Sequence, residues 1–179
     1  MVIVFLAPGF EEVEAITVID MLRRAGIETM TAGVGGKFVA GAHSITVTAD
    51  LCAEETMPDK TLEAVVLPGG MPGTSNLAES QTVQTFIRYA AENLVPLCAI
   101  CAAPSILGDM GLLADIPAVC YPGFESSLPR FVPDKAVYNH ENRVITARAA
   151  GAAAEFAHCI ISVLRGDSAA ENVRSAMIY

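Results

Sequence analysis

The apolar residues of the chain fall into short continuous runs that alternate with segments of helical spacing. Residues 2–6 are all apolar and end at Ala7-Pro8-Gly9, which predicts a strand buried on both faces. Residues 12–25 then carry acids in the first turn, arginines in the last and a glycine after them, which predicts a helix. Its apolar positions are Val13, Ile16, Ile19 and Leu22.

The same alternation continues along the chain. It predicts strands at 27–32, 62–67, 95–100, 118–121, 136–138 and 144–147, and a β excursion at 38–39 and 43–48. It predicts helices at 80–93, 103–110, 152–164 and 168–177. This order favours one parallel sheet with helices on both faces and ligands at the carboxyl ends of the strands. Because 179 residues contain no linker or repeat, we expect a single domain, residues 1–179.

Composition and charge exclude several classes of protein. The chain is 53% hydrophobic and 17% charged, unlike a disordered chain or a charged coiled coil. Its net charge of -9 repels phosphate backbones and anionic headgroups, so we expect neither nucleic acid nor membrane as a partner. The N-terminus lacks a secretory signal pattern, and the five cysteines form no even disulfide framework. These features predict a cytoplasmic protein with free thiols.

Cys101 lies where a predicted strand meets a predicted helix, among small neighbours. This is the layout of a nucleophile elbow, in which a helix N-terminus lowers a thiol pKa and supplies N–H groups for an oxyanion. An inert core cysteine fits the sequence equally well. Cys98 makes a CxxC spacing with Cys101 but belongs to the strand, so a redox pair is not predicted. No other Cys or His pair has metal-site spacing, and we expect neither metal nor cofactor.

Two further segments hold candidate chemistry. The segment Pro68-Gly69-Gly70-Met71-Pro72-Gly73 follows a core strand, where it forms either a simple turn or a backbone site that donates N–H bonds. It lacks the patterns of nucleotide-binding loops. Glu11, Glu12 and Glu14 open the first helix, and taken alone they are expected to face water.

Three motifs together resemble the DJ-1/ThiJ/PfpI superfamily, and its bacterial YajL-like ThiJ branch in particular. They are PGFEEVE at 8–14, LPGG at 67–70 and AICAAP at 99–104, and residues 141–148 are also similar, so the resemblance covers nearly the whole chain. It implies a flavodoxin-like α/β fold related to glutamine amidotransferases. In that fold a doubly wound, mostly parallel sheet lies in a three-layer α/β/α sandwich, usually within a homodimer.

The resemblance also implies roles for individual residues. Cys101 corresponds to the reactive elbow cysteine and Glu14 to its carboxyl partner, while Gly69, Gly70 and Ala102 line the anion pocket. A protonated Glu14 can donate a hydrogen bond to a thiolate, which raises the pKa of Glu14. His43 takes the place of an arginine that reaches the site from the partner subunit, and Arg24 matches a second interface arginine.

The chain departs from the family pattern at three places. Ala102 follows the cysteine where family peptidases carry a histidine, which disfavours protease activity. Tyr121 replaces a histidine before proline; it can hydrogen-bond a substrate oxygen but is a poor base. Ala149-Ala150 replaces a Gly-Pro pair.

The function implied by the resemblance is a cofactor-independent glyoxalase acting on small carbonyl substrates such as methylglyoxal, with protein deglycase activity as a variant. The alternative is a non-enzymatic oxidative-stress protein, either a sensor that uses the same cysteine or a chaperone. A part in thiazole monophosphate biosynthesis attaches to the ThiJ name, but no phosphate-binding motif supports it.

Overall fold

Parallel strands form the centre of the molecule, in a computed structural model that describes residues 1–178. The strands are β1 (Val2–Leu6), β2 (Thr29–Gly33), β3 (Phe38–Ala40), β4 (Thr46–Thr48), β5 (Leu51–Cys52), β6 (Ala64–Leu67), β7 (Leu97–Ile100), β8 (Ala136–Asn139) and β9 (Val144–Ala147). The helices are α1 (Glu12–Arg24), α2 (Gly73–Glu79), α3 (Gln81–Glu92), α4 (Pro104–Asp109), α5 (Ala153–Arg165) and α6 (Asp167–Met177).

Seven of the strands form one sheet in the order β5-β2-β1-β6-β7-β9-β8. All neighbours in it are parallel except β8, which pairs antiparallel with β9 at the edge. Strands β3 and β4 form a separate antiparallel hairpin, the predicted β excursion. Parallel order brings the ends of β1, β6, β7 and β9 to one edge, where the loops that follow them meet.

Alternate side chains of the central strands enter two separate cores. Val2 and Val4 face the layer formed by α1, α5 and α6, whereas Ile3 and Phe5 face the layer formed by α2, α3 and α4. Burial on both faces explains why these strands are continuous apolar runs. The predicted flavodoxin-like α/β sandwich with a mostly parallel sheet is therefore confirmed.

Several elements differ from the sequence prediction. Residues 118–121 make only an isolated bridge, between Ala118 and Phe131, because the N–H of Val119 donates to the Thr146 hydroxyl instead of to a strand. Helix α2 was not predicted, since its glycine, threonine, serine and asparagine are poor helix formers; the burial of Leu77 supports it. No helix of residues 1–178 is long and apolar enough to cross a membrane.

Helix α1 buries only part of its apolar surface. Its core-facing side includes Ala15, Val18 and Leu22, all at most 1% exposed. Val13 and Ile16 keep the helical spacing that predicted α1, yet they are 53% and 43% exposed. The helix therefore presents two large apolar side chains to solvent.

Candidate active site

Cys101 lies at the bend between β7 and α4 with a φ of +65°, a left-handed conformation that is rare for residues other than glycine. Its N–H donates to the carbonyl of Ala147 at 2.9 Å, and its own carbonyl accepts from Tyr121 N–H at 2.7 Å. These two bonds hold the bend between β9 and the loop at Tyr121. The thiol is half-buried and lies at the carboxyl edge of the sheet, which is the geometry that a nucleophile elbow requires.

Glu14 approaches the same point from the first turn of α1. The side chain is 1% exposed, and its Oε2 accepts the N–H of Gly69 at 2.8 Å. Its other oxygen, Oε1, is buried and has no hydrogen-bond partner within residues 1–178. The carboxyl interacts directly with the Cys101 thiol. Glu14 can therefore accept or release a proton beside the sulfur.

The glycines after β6 make room for this pair. A Cβ on Gly69 would lie 2.5 Å from the Cβ of Cys101 and 2.8 Å from Oε2 of Glu14, so this position tolerates no side chain. Gly70 has a φ of +91°. The N–H groups of Gly70 and Ala102 lie near the Cys101 sulfur and lower the pKa of the thiol, against the effect of burial. The structure thus brings together Cys101, Glu14, Gly69, Gly70 and Ala102 at the carboxyl edge of the sheet.

Burial controls the protonation of both groups. Desolvation raises the pKa of Glu14 from 4.5 to about 7, against the lowering effect of the Cys101 thiol and the Gly69 N–H. Desolvation, followed by the negative charge of Glu14, raises the pKa of Cys101 to about 12. This direction is opposite to the one expected from a helix N-terminus alone, because the N–H groups of Gly70 and Ala102 only partly offset those two causes.

Tyr121 and His43 relate to this centre in different ways. Tyr121 adjoins Cys101 through its backbone, and its side chain is 47% exposed. His43 contacts carboxylates instead of the thiol: its Nδ1 lies 2.9 Å from Glu12 Oε2 and 3.8 Å from Glu11 Oε1. His43 therefore lies at the rim of the site, which it forms with Glu11 and Glu12.

Glu12 is a structural contact that the sequence analysis missed. We expected it to face water, but it is 7% exposed, and its Oε1 accepts the N–H of His43 at 2.8 Å. Gly41 packs against the same carboxyl. Glu12 therefore links the loop between β3 and β4 to α1. In the sequence, the only indication of this contact is Gly41, which lets the backbone of the loop approach the Glu12 carboxyl.

Glu11, Glu12 and His43 also place one possible metal ligand each within 4.8 Å of one another. The oxygens of Glu12 are already engaged by the ring of His43 and by backbone N–H groups. Internal hydrogen bonds thus account for the arrangement.

Comparison with known proteins places this geometry in a family. A model described as the DJ-1/PfpI family matches residues 1–163. The protein dj-1beta of Drosophila melanogaster is 35% identical, with 98% of this chain and 95% of the relative aligned. The crystal structure of Drosophila melanogaster DJ-1beta superposes with a TM-score of 0.92 at 34% identity, covering 99% of this chain and 96% of that chain.

Two further matches extend the comparison. A mutant of a DJ-1 superfamily protein from Salmonella typhimurium superposes with a TM-score of 0.91 at 31% identity, covering 99% and 97% of the two chains. A Caenorhabditis elegans protein named glutathione-independent glyoxalase DJR-1.2 is 29% identical over 87% of this chain and 83% of its own. These matches span animals and bacteria, so they do not single out the bacterial ThiJ branch. The chain belongs to the DJ-1/PfpI family.

Proposed function

We propose that this protein is a cofactor-independent glyoxalase of the cytosol, which converts small 2-oxoaldehydes such as methylglyoxal into 2-hydroxy acids. One observation carries the proposal: the buried Glu14 carboxyl, with a free oxygen, lies beside the elbow thiol of Cys101. The reaction needs a nucleophile that attacks the aldehyde carbon and a group that carries a proton from that carbon to its neighbour. Cys101 can supply the first and Glu14 the second. The glyoxalase name of the Caenorhabditis elegans relative supports the same reaction.

The first step joins the sulfur to the aldehyde carbon. The thiol proton passes to the Glu14 carboxylate as the C–S bond forms, and the carbonyl oxygen takes up the electron pair. Backbone N–H groups at Gly70 and Ala102 stabilise the negative oxygen. Return of the proton from Glu14 to that oxygen completes a hemithioacetal.

The second step moves a hydrogen between adjacent carbons without any external oxidant. Glu14 removes the proton from the carbon that carries sulfur, which gives an enediolate, and returns it to the neighbouring carbon. The proton of the hemithioacetal hydroxyl moves to the neighbouring oxygen in the same rearrangement. The sulfur-bearing carbon is thereby oxidised to a thioester while its neighbour is reduced to an alcohol. Water then cleaves the thioester, releasing the 2-hydroxy acid and the Cys101 thiol. A Glu14 pKa of about 7 suits a group that both accepts and donates near neutral pH.

The deciding experiment measures D-lactate formed from methylglyoxal by wild type and by Cys101→Ser. We expect Cys101→Ser to lose nearly all activity, whereas Cys98→Ser and Cys159→Ser keep it, because neither of those thiols lies at the elbow. Substantial turnover by Cys101→Ser would disprove the covalent route. Release of lactate from glycated thiols would extend the activity to deglycation through the same two residues.

A redox role for Cys101 is the second candidate function. A protonated Glu14 could donate a hydrogen bond to a sulfinate on Cys101, so the raised pKa of Glu14 favours that oxidised form. Under this reading oxidation should produce a gain, such as partner binding or suppression of aggregation. Under the glyoxalase proposal it should simply inactivate the protein.

We also propose that the protein is a homodimer. The exposed apolar side chains of Val13 and Ile16 on α1 support this, together with Ile45 beside β4, which is 58% exposed. Arg24, expected at the subunit boundary, pairs with Asp20 of its own helix at 2.6 Å. It remains exposed at the end of α1, where a second copy could reach it.

A further inference from the structure

Glu11 is held at the reacting pair although the proposed reaction gives it no part. Its N–H donates to the carbonyl of Gly69 at 2.9 Å, and the backbone of Gly70 packs against its nitrogen. Gly70 follows Gly69, where an added Cβ would lie 2.5 Å from the Cβ of Cys101. The Glu11 side chain is 20% exposed, and its negative charge helps to raise the pKa of Glu14. Its charge therefore acts directly on the site.

The positive charge that His43 can carry does not neutralise the carboxylates around it. One imidazole, His43, faces both Glu12 at 2.9 Å and Glu11 at 3.8 Å. Even a protonated His43 carries one positive charge against two negative ones. Ionised Glu14 adds a third negative charge behind them. This rim is therefore negative where the family resemblance places an arginine from the partner subunit.

We propose that Glu11 makes the site select uncharged carbonyl compounds over those that carry a carboxylate or a phosphate. This inference rests on the proposed glyoxalase function and names its substrate class. A substrate that brings another negative charge towards Cys101 meets repulsion from Glu11 in a partly desolvated place, where charge interactions are stronger than in bulk water. An uncharged 2-oxoaldehyde meets none.

Alkylation of Cys101 tests this local charge separately from catalysis. Iodoacetamide and iodoacetate attack the same sulfur, have nearly the same size and differ by one negative charge. Peptide mass spectrometry gives the alkylation rate of Cys101 with each reagent. The rate ratio of iodoacetamide to iodoacetate is then compared with the ratio for N-acetylcysteine amide, a thiol without charged groups nearby.

We expect the ratio at Cys101 to exceed the reference ratio by roughly tenfold at low salt and to fall as salt is added. Glu11→Gln should lower the ratio towards the reference, and the remaining difference is due to Glu12 and Glu14. Any change in the proton affinity of the thiol affects both reagents equally and cancels in the ratio. At pH 6.5, His43→Gln should increase the ratio, since it removes the positive charge. Glu92→Gln, at an exposed position at the end of α3, is the control.

A wild-type ratio equal to the reference, or a ratio that Glu11→Gln leaves unchanged, would overturn the proposal. So would faster reaction with iodoacetate, which would show that the net charge around Cys101 is positive. Each of these results comes from alkylation rates alone and requires no enzymatic turnover.

A second measurement connects the charge to the substrate. We expect phenylglyoxal to be converted with a higher kcat/KM than 4-carboxyphenylglyoxal, by about tenfold in wild type and less in Glu11→Gln. Equal conversion of both would reject charge selection while leaving the glyoxalase proposal intact. Conversion of neither would reject the glyoxalase proposal, and the alkylation ratio would still decide whether Glu11 sets the local charge.

Discussion

Glu14 lies beside Cys101 and ionises before it, because burial raises the pKa of the carboxyl to about 7, and burial together with the negative charge of Glu14 raises the pKa of the thiol to about 12. The remaining proton is therefore available to either oxygen or sulfur throughout the neutral range. The pair needs no external base to form the sulfur nucleophile.

Ionisation of Glu14 should make stability depend on pH. Its pKa rises from 4.5 to about 7 on folding, so its favourable contribution is complete below pH 4.5 and is lost as the pH rises through 7. Glu14→Gln cannot ionise and should escape this loss. Between pH 4.5 and pH 8 the variant should gain on the order of 3 kcal/mol relative to wild type, measured by urea unfolding. Parallel stability profiles for the two proteins would show that the carboxyl is not buried in solution.

Substitution of Gly69 should affect both stability and activity. In Gly69→Ala the added methyl group must displace Cys101 or Glu14, which we expect to cost about 1–3 kcal/mol and to lower lactate production at least tenfold. Gly151→Ala is the matched control, because a Cβ there meets no atom within 4 Å. Denaturant melts and turnover of both variants give the answer; a fully active Gly69→Ala would mean that the two side chains need not be held so closely.

Mild peroxide should oxidise Cys101 before the other cysteines. Cys101 is half-buried and has Glu14 to accept its proton, whereas Cys98 and Cys120 are at most 1% exposed. Cys52, whose thiol donates to Glu54 at 3.0 Å, is the partly exposed competitor that the experiment compares with Cys101. Peptide mass spectrometry over a peroxide time course tests the order. Earlier oxidation of Cys52 or Cys120 would remove the basis of the redox candidate.

The proposed dimer should depend on α1. Wild type should show twice the chain mass of 18.8 kDa by light scattering at micromolar concentration, and Ile16→Glu should show the single mass. Introducing a charge into an apolar interface removes burial and leaves that charge unpaired. Met57→Glu, at a 76% exposed position outside α1 and the hairpin, should keep the wild-type mass. A wild-type monomer would contradict the proposal directly.

The fold was predictable from sequence where a local pattern determines structure. The strands β1, β6 and β7 are apolar on both faces, so a continuous apolar run is sufficient to locate them. Helix α2 depends on packing against other elements and not on its own composition, and it was missed.

The site was predictable to a smaller extent. Cys101 is marked by its place between strand and helix, whereas Glu14 lies on a helix whose acidic first turn looks like an ordinary solvated one. Its role came from the family resemblance. The burial of Glu12 depends on a loop 31 positions away in sequence, a contact that no local pattern contains.

The two groups of the reacting pair meet on one face of the sheet. Glu14 is on α1, and the Cys101 side chain packs against the same core as α1, whereas α4, which follows Cys101, packs on the other face. During folding the carboxyl reaches the thiol only when α1 docks onto the sheet. Recovery of the reactive pair during refolding should therefore lag behind formation of the central strands. A nascent chain with α1 undocked holds a cysteine without the carboxyl that accepts its proton, so it cannot complete the conversion of a carbonyl compound.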